Sequence, residues 1–468
     1  MQSKTVERIS DSVRAHAAQR GAALAAVDGL RCLDWTDLLV AMEAAVAALR
    51  GQGVQPGDRV ALVAGDGVSA LVVALAVIDM GAVHVPLDHH LTDLELGAEI
   101  ARLSVNWCCD DPAALRLRAT GFPRIDDPLG GTAAFLRCSS GTTGDAKGVL
   151  LSHHSMIARC DAANQLLKLG PDDRVLWLLP MAYHFAVSIG LYVRCGAAVV
   201  FGAALRATRT AAIAREHQVT MCYASPYHVQ RLAALAPSED LPASLRQVIA
   251  TTAALAPDTA HLFRQRHGLG VRQGLGLIEV GLPLLSPGAA GEVPGYLGQP
   301  ASAYRVRVID DDGAQCERGG TGELQIAGPG LWDAYLDPLR LRAECLVDGY
   351  FATGDLASID TSGAVTLLGR SKEMINVGGV KVFPLEVEAV LAAHPEVTAC
   401  RVRSGSDPRT GEAVVAEVES AAPAVDLVPH LQAWCRERLA ALKCPARYAV
   451  VPRLERTASG KVRRSGTA

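Results

Sequence analysis

Aromatic residues are scarce. They make up 4% of a 468-residue chain that is 50% apolar. The core must therefore be packed mainly with aliphatic side chains, and the chain is long enough to build a large one. No run of one charge stands out either. The 45 basic and 49 acidic residues leave a net charge of -4, which argues against a nucleic-acid partner. The longest apolar run, Ala70 to Ile78, is cut off by Asp79 and is too short for a transmembrane segment. Residues Met1 to Arg8 lack the apolar centre of a signal peptide. Twelve cysteines are scattered without a C-x-x-C pair, so no zinc site is expected. Buried free thiols in a reducing, cytoplasmic setting are expected instead. The Gly-x-x-x-x-Gly-Lys-Ser/Thr phosphate loop is missing, and no Gly-x-Gly-x-x-Gly follows a strand.

A different loop is present. Ser139, Ser140, Gly141, Thr142, Thr143, Gly144 and Lys147 fall within ten residues, between the apolar stretches Ala133–Leu136 and Val149–Leu151. Glycines let a backbone approach a ligand closely. Exposed N–H groups in such a turn form an anion nest, and hydroxyls and a lysine add contacts to phosphate oxygens. The loop reads as a polyphosphate cradle.

The length points to two or three domains. A strand–helix–strand rhythm runs through the first half: a helix over Leu33–Arg50 capped by Thr36 or Asp37, a strand at Arg59–Val63, a helix at Ser69–Met80 and a strand at Ala82–Pro86. Further strands are expected near residues 174–178, 197–201, 219–223 and 245–250. This rhythm predicts parallel sheets covered by helices. From Gly291 the texture changes to short strands and turns, as in a small antiparallel, barrel-like subdomain. After Arg370 it resets to a small α+β unit. The expected fold is α/β, with a large N-terminal domain over residues 1–370 and a small C-terminal domain over 371–468.

Four motifs carry a resemblance. They are the loop at Ser140–Gly148, with Ala146 where relatives have proline; Tyr350–Asp355; Gly369–Glu388; and Arg456–Arg464. In this order and spacing they resemble the adenylate-forming superfamily of acyl- and aryl-CoA synthetases, firefly luciferase and peptide-synthetase adenylation domains. The resemblance implies that residues 1–370 are the ATP- and acyl-binding domain, that 371–468 are a mobile lid domain, and that Asp355 and Arg370 face the ribose of ATP. It implies that Thr252, Ala253 and Ala254 lie against adenine, and that Glu279 helps hold Mg²⁺. Lys461 is implied as the catalytic cation contacting carboxylate and α-phosphate, Lys372 as the hinge, and Gly378 and Gly379 as flanking the pantetheine arm of CoA. Tyr183, His184, Phe185 and Leu277 are the implied acyl wall. The absence of an acidic residue from Met181 to Gly190 argues against an α-amino acid substrate. Two positions depart from the pattern: Leu275 replaces an aromatic residue, and Ile278 a hydroxyl residue.

The expected activity is an ATP-dependent carboxylate–CoA ligase acting on a fatty or aromatic acid through an acyl-adenylate. Loading of a phosphopantetheinyl carrier protein in trans is the near alternative. An AMP-binding scaffold with little ligase activity is the alternative of another class.

Overall fold

The computed structural model describes residues 6–138, 147–202, 206–288, 293–378, 380–456 and 462–463. Two eight-stranded sheets dominate. The first runs, in spatial order, Gly281–Leu285, Val271–Leu277, Gln247–Ala250, Met221–Ala224, Arg174–Trp177, Ala198–Phe201, Leu24–Val27 and Cys32–Asp34. Its six inner strands are parallel and its two edge strands antiparallel. The four central strands, Arg174–Trp177, Ala198–Phe201, Met221–Ala224 and Gln247–Ala250, are almost wholly buried, as expected of short apolar strands covered on both faces.

The second sheet departs from the parallel expectation. Val83–Leu87 pairs parallel with Ala133–Cys138 and with Arg59–Val63, and Arg59–Val63 with Trp107–Asp111. Gly148–Ser152, Ala334–Leu336, Arg340–Leu341 and Arg116–Ala119 are added antiparallel. Apolar runs announce burial but carry no direction, which explains the difference. The phosphate loop therefore joins an antiparallel hairpin, with Cys138 opposite Gly148. Its own residues 139–146 lie outside the described ones.

The first long helix is Trp35–Gly51. Its N-cap is Asp34, two or three residues earlier than Thr36 or Asp37, with the carboxylate accepting from Asp37 N at 2.7 Å. One large core cluster joins side chains from both sheets and the helices between them, from Val60 and Phe135 to Trp177 and Ile249. The barrel-like subdomain is a five-stranded antiparallel sheet: Tyr296–Gly298, Val365–Arg370, Phe351–Ile359, Thr321–Ala327 and Arg305–Ile309. The C-terminal α+β unit builds a separate core from Ile375 onwards. Its strands Ala399–Asp407 and Gly411–Glu419 pack against helices Pro384–Ala392 and Ala424–Arg438. Among the described residues no helix is long and apolar enough to cross a membrane.

Candidate active site

Asp355 is held by local sequence. Gly354 takes φ 72°, a left-handed conformation that suits glycine, and so turns the strand at this point. Thr353 Oγ1 donates to Leu324 O at 2.8 Å and accepts from Asp355 N at 3.1 Å. The Asp355 side chain is buried, with Oδ1 2.8 Å from Arg370 Nε. Its Oδ2 is buried with no hydrogen-bond partner among the described residues. Burial pushes its pKa up to about 6; Arg370 pulls it down, while the charges of Glu373, Glu279 and Glu323 push it further up. Arg370 sits directly opposite Asp355 in the strand pairing and also donates to Thr353 O at 3.1 Å. A buried carboxylate oxygen left open suits a ligand that brings hydroxyl donors.

Glu279 lies on the turn between Val271–Leu277 and Gly281–Leu285. Tyr335 OH donates to its Oε1 at 3.3 Å, and Trp332 N donates to its carbonyl at 2.8 Å. Burial and the Glu279 charge hold the Tyr335 phenol well above its ordinary pKa, so it stays a donor. The Lys147 ammonium lies 5.1 Å from the centre of the Tyr335 ring. Lys147, Tyr335 and Glu279 are thus brought together, and the Glu279 field reaches Asp355.

Thr252 has φ 83°, strained for a β-branched residue, and its Oγ1 is buried without a partner. Ala253 and Ala254 beside it are exposed. Leu277 is partly buried against the large core. Tyr183 and His184 end the short helix Met181–His184, whose N-terminal Met181 N donates to Asp66 Oδ1 at 2.6 Å. His184 is half-buried, edge-on to Trp177 at 5.7 Å and Tyr223 at 6.4 Å. Phe185 is fully buried against His84 at 4.9 Å and Phe135 at 6.2 Å. The chain becomes a π-helix over Phe185–Ile189, which turns this side chain inward. Tyr223 is likewise buried, stacked on Trp177.

Lys372 is exposed in the 3₁₀ turn Ser371–Glu373 that leaves the antiparallel sheet. Gly378 is exposed with φ 58° at the tip of the hairpin Ile375–Val382. Ser139, Ser140, Gly141, Thr142, Thr143, Gly144, Gly379 and Lys461 lie outside the described residues. A surface cavity of about 460 Å³, lined by Arg246, Arg264 and Arg272 among others, lies at the opposite, amino-terminal edge of the first sheet. None of the predicted residues lines it.

The profile of the AMP-binding enzyme family matches residues 13–106 and 107–336. That of the AMP-binding enzyme C-terminal domain matches 386–461. The chain is an AMP-binding enzyme. Feruloyl-CoA synthase of Amycolatopsis sp is 31% identical to it over 440 residues, covering 88% of this chain and 89% of the relative. Indoleacetate–CoA ligase of Aromatoleum aromaticum is 30% identical over 363 residues, covering 75% and 70%. The structure of an amide bond synthetase from Marinactinospora thermotolerans superposes with TM-score 0.84 at 25% identity, over 97% and 98% of the chains. The o-succinylbenzoate CoA synthetase of Bacillus subtilis, in complex with its acyl-adenylate, gives TM-score 0.85 over 96% of each chain. At 23% identity that likeness shows the fold alone.

Two supporting residues of this AMP-binding enzyme escaped the sequence reading. Tyr335 sat in a short strand with no motif. Arg159 lies among buried neighbours Met156, Cys160 and Ala163 on helix His153–Leu167. Its guanidinium donates to Gly330 O at 3.0 Å and to Ile278 O at 2.9 Å, bracing the segments on either side of Glu279. An arginine on the apolar face of a helix was the available signal.

Proposed function

We propose that this enzyme is an ATP-dependent carboxylate–CoA ligase that works through an acyl-adenylate. As an acid–thiol ligase it activates a carboxylic acid with ATP and passes the acyl group to the thiol of CoA. One observation carries the reading. The buried, unpartnered Asp355 Oδ2 stands beside Arg370, within the field of a glutamate whose Tyr335 partner lies under the Lys147 ammonium.

Each residue then has a task. Asp355 accepts from the ribose hydroxyls, with Arg370 holding its other oxygen. Lys147 and the hydroxyls of Ser139, Ser140, Thr142 and Thr143 steady the outer phosphates. Thr252, Ala253 and Ala254 border the base. Glu279 Oε2 makes no hydrogen bond among the described residues, so the carboxylate fits as the group that holds Mg²⁺. When bound, that ion supplies charge neutralisation for the phosphates. Lys461 neutralises the repulsion between carboxylate and α-phosphate. The boundary between the large domain and the lid lies at Lys372, and rotation there exchanges Lys461 for the Gly378–Gly379 hairpin beside the thiol. Tyr183, His184 and Leu277 flank an acid with an apolar body, fatty or aromatic. The feruloyl and indoleacetate relatives support the aromatic choice.

The test is pyrophosphate release over a panel of fatty and aromatic acids, with CoA or a phosphopantetheinyl carrier protein as acceptor. The expected outcome is acid-dependent release and a CoA thioester. Release without any CoA thioester would move the acceptor to the carrier, and no release with any acid would leave a nucleotide-binding scaffold. Lys461→Ala is expected to lose adenylation while keeping most thioester formation from preformed acyl-adenylate. Equal loss of both half-reactions would remove the role given to Lys461.

A further inference from the structure

Arg137 is the one charged residue in the strand Ala133–Cys138, whose other five side chains are buried and apolar. The antiparallel register sets Arg137 opposite Val149, and Val149 opposite Tyr335. Residues directly opposite share a face of the sheet, so Tyr335, Val149 and Arg137 form one row across three strands. Tyr335 is the end of the row that meets Glu279 and Lys147. Arg137 is the end that meets the acyl segment. Its guanidinium carbon lies 5.0 Å from the centre of the Tyr183 ring. Its Nη1 donates to Tyr183 O, and its Nε to Cys138 O at 3.3 Å. Two strand spacings, roughly 10 Å, separate the ends of the row.

Among the described residues, both hydrogen-bond acceptors of this guanidinium are neutral carbonyls. Among the described residues it forms no ion pair, and Glu279 and Glu99 act on it only from a distance. Desolvation holds its pKa below the ordinary arginine value. Arg137 is half-buried, and a partly desolvated cation with no carboxylate beside it gains when a ligand brings the counter-charge. The phosphate side of the cleft already has Lys147. An acid whose reacting carboxylate lies near Glu279 and whose body passes Tyr183 brings its far end to Arg137.

We propose that Arg137 is a specificity-determining residue that binds a second carboxylate at the far end of the acid. The preferred substrates are then dicarboxylic acids with an apolar middle. This rests on the reading of the cleft as an acid-activating site.

The test pairs acids of one skeleton: 3-(4-carboxyphenyl)propanoate against 3-(4-methylphenyl)propanoate, and octanedioate against octanoate. In pyrophosphate release the wild type is expected to favour the diacid at least tenfold in kcat/KM. Arg137→Met is expected to bring that ratio to about one or below, with the KM for ATP within twofold of wild type. Arg137→Lys, which keeps the charge but loses the fork, is expected to fall between. A diacid preference unchanged in Arg137→Met overturns the proposal. So does an ATP KM that rises equally with both acids, which would give the guanidinium to a phosphate. Thermal shift with the same acids and no ATP separates this from failure of the ligase reading. The diacid is expected to raise the Tm of wild type and not of Arg137→Met. Equal shifts, or none in wild type, overturn the proposal whether or not pyrophosphate is released.

Discussion

Asp355 is a carboxyl group pulled in two directions. Burial and three glutamates favour the protonated form, and only Arg370 favours the charge. Its pKa stands at about 6 in the folded chain against 3.8 as reference. Between these two values the folded state holds more protons than the unfolded one. Its contribution to stability is therefore most favourable below pH 4 and declines as pH rises through about 6. The full swing is on the order of 3 kcal/mol. Binding has the opposite sign. Ribose hydroxyls donate to the ionised form, so they favour charge and lose affinity on acidification. Calorimetric titration with adenosine, which carries no phosphate to titrate, is expected to show affinity falling as pH drops below about 6. Asp355→Asn is expected to bind more weakly and without that pH dependence. An unchanged pH profile in the variant would assign the effect to another group, and Asp66, also raised to about 6, is the next to substitute.

Arg159 acts at the scale of elements. It rises from helix His153–Leu167 and ties together two segments far apart in sequence, at Ile278 and at Gly330. The approach is so close that a Cβ on Gly330 would lie 2.6 Å from the Arg159 backbone nitrogen, which explains the glycine there. Arg159→Met keeps much of the apolar stem but takes the donor from the buried Gly330 carbonyl and the part-buried Ile278 carbonyl, a loss of about 2–4 kcal/mol. Because these carbonyls flank Glu279, the expected signature is a lower Tm together with a raised KM for Mg·ATP. A lower Tm with unchanged kinetics would confine Arg159 to stability. At this scale the sequence was legible wherever periodicity decides. The helix at Val68–Asp79 and the strand at Arg59–Val63 lie within a residue of where alternation and turn residues put them. It was less legible where partners decide. The hairpin around the phosphate loop, the inward turn of Phe185 and the Tyr335–Glu279 contact depend on strand direction or on a π-helical shift. Neither leaves a mark in composition.

At the scale of the whole molecule, the proposed assignment puts the nucleotide-binding side chains and the activating lysine on opposite sides of the domain boundary. Asp355, Arg370, Glu279 and Lys147 all precede Lys372, whereas Lys461 follows it. The C-terminal unit has its own core from Ile375 to Cys435. Part of what joins it to the large domain is slight. Lys381 pairs with Asp311, but both side chains are largely exposed, so the pair contributes well under 1 kcal/mol. The Arg456 guanidinium lies 5.9 Å from the Tyr227 ring centre, near the limit of a useful cation–π contact. Contacts this weak suit the rotation proposed for the C-terminal unit between two half-reactions. The consequence is a division of labour that truncation exposes. A chain ending at Arg370 keeps the side chains assigned to ribose, phosphates and metal and loses Lys461. It is expected to bind ATP within about fivefold of the full chain by calorimetry, while pyrophosphate release falls by at least a hundredfold. The lost rate reflects the charge neutralisation that one cation supplies to the developing transition state, about 3 kcal/mol for a hundredfold. Release at the full-length rate would place the activating cation in the large domain. Loss of ATP affinity in step with the rate would mean that the lid, and not Asp355 and its neighbours, holds the nucleotide.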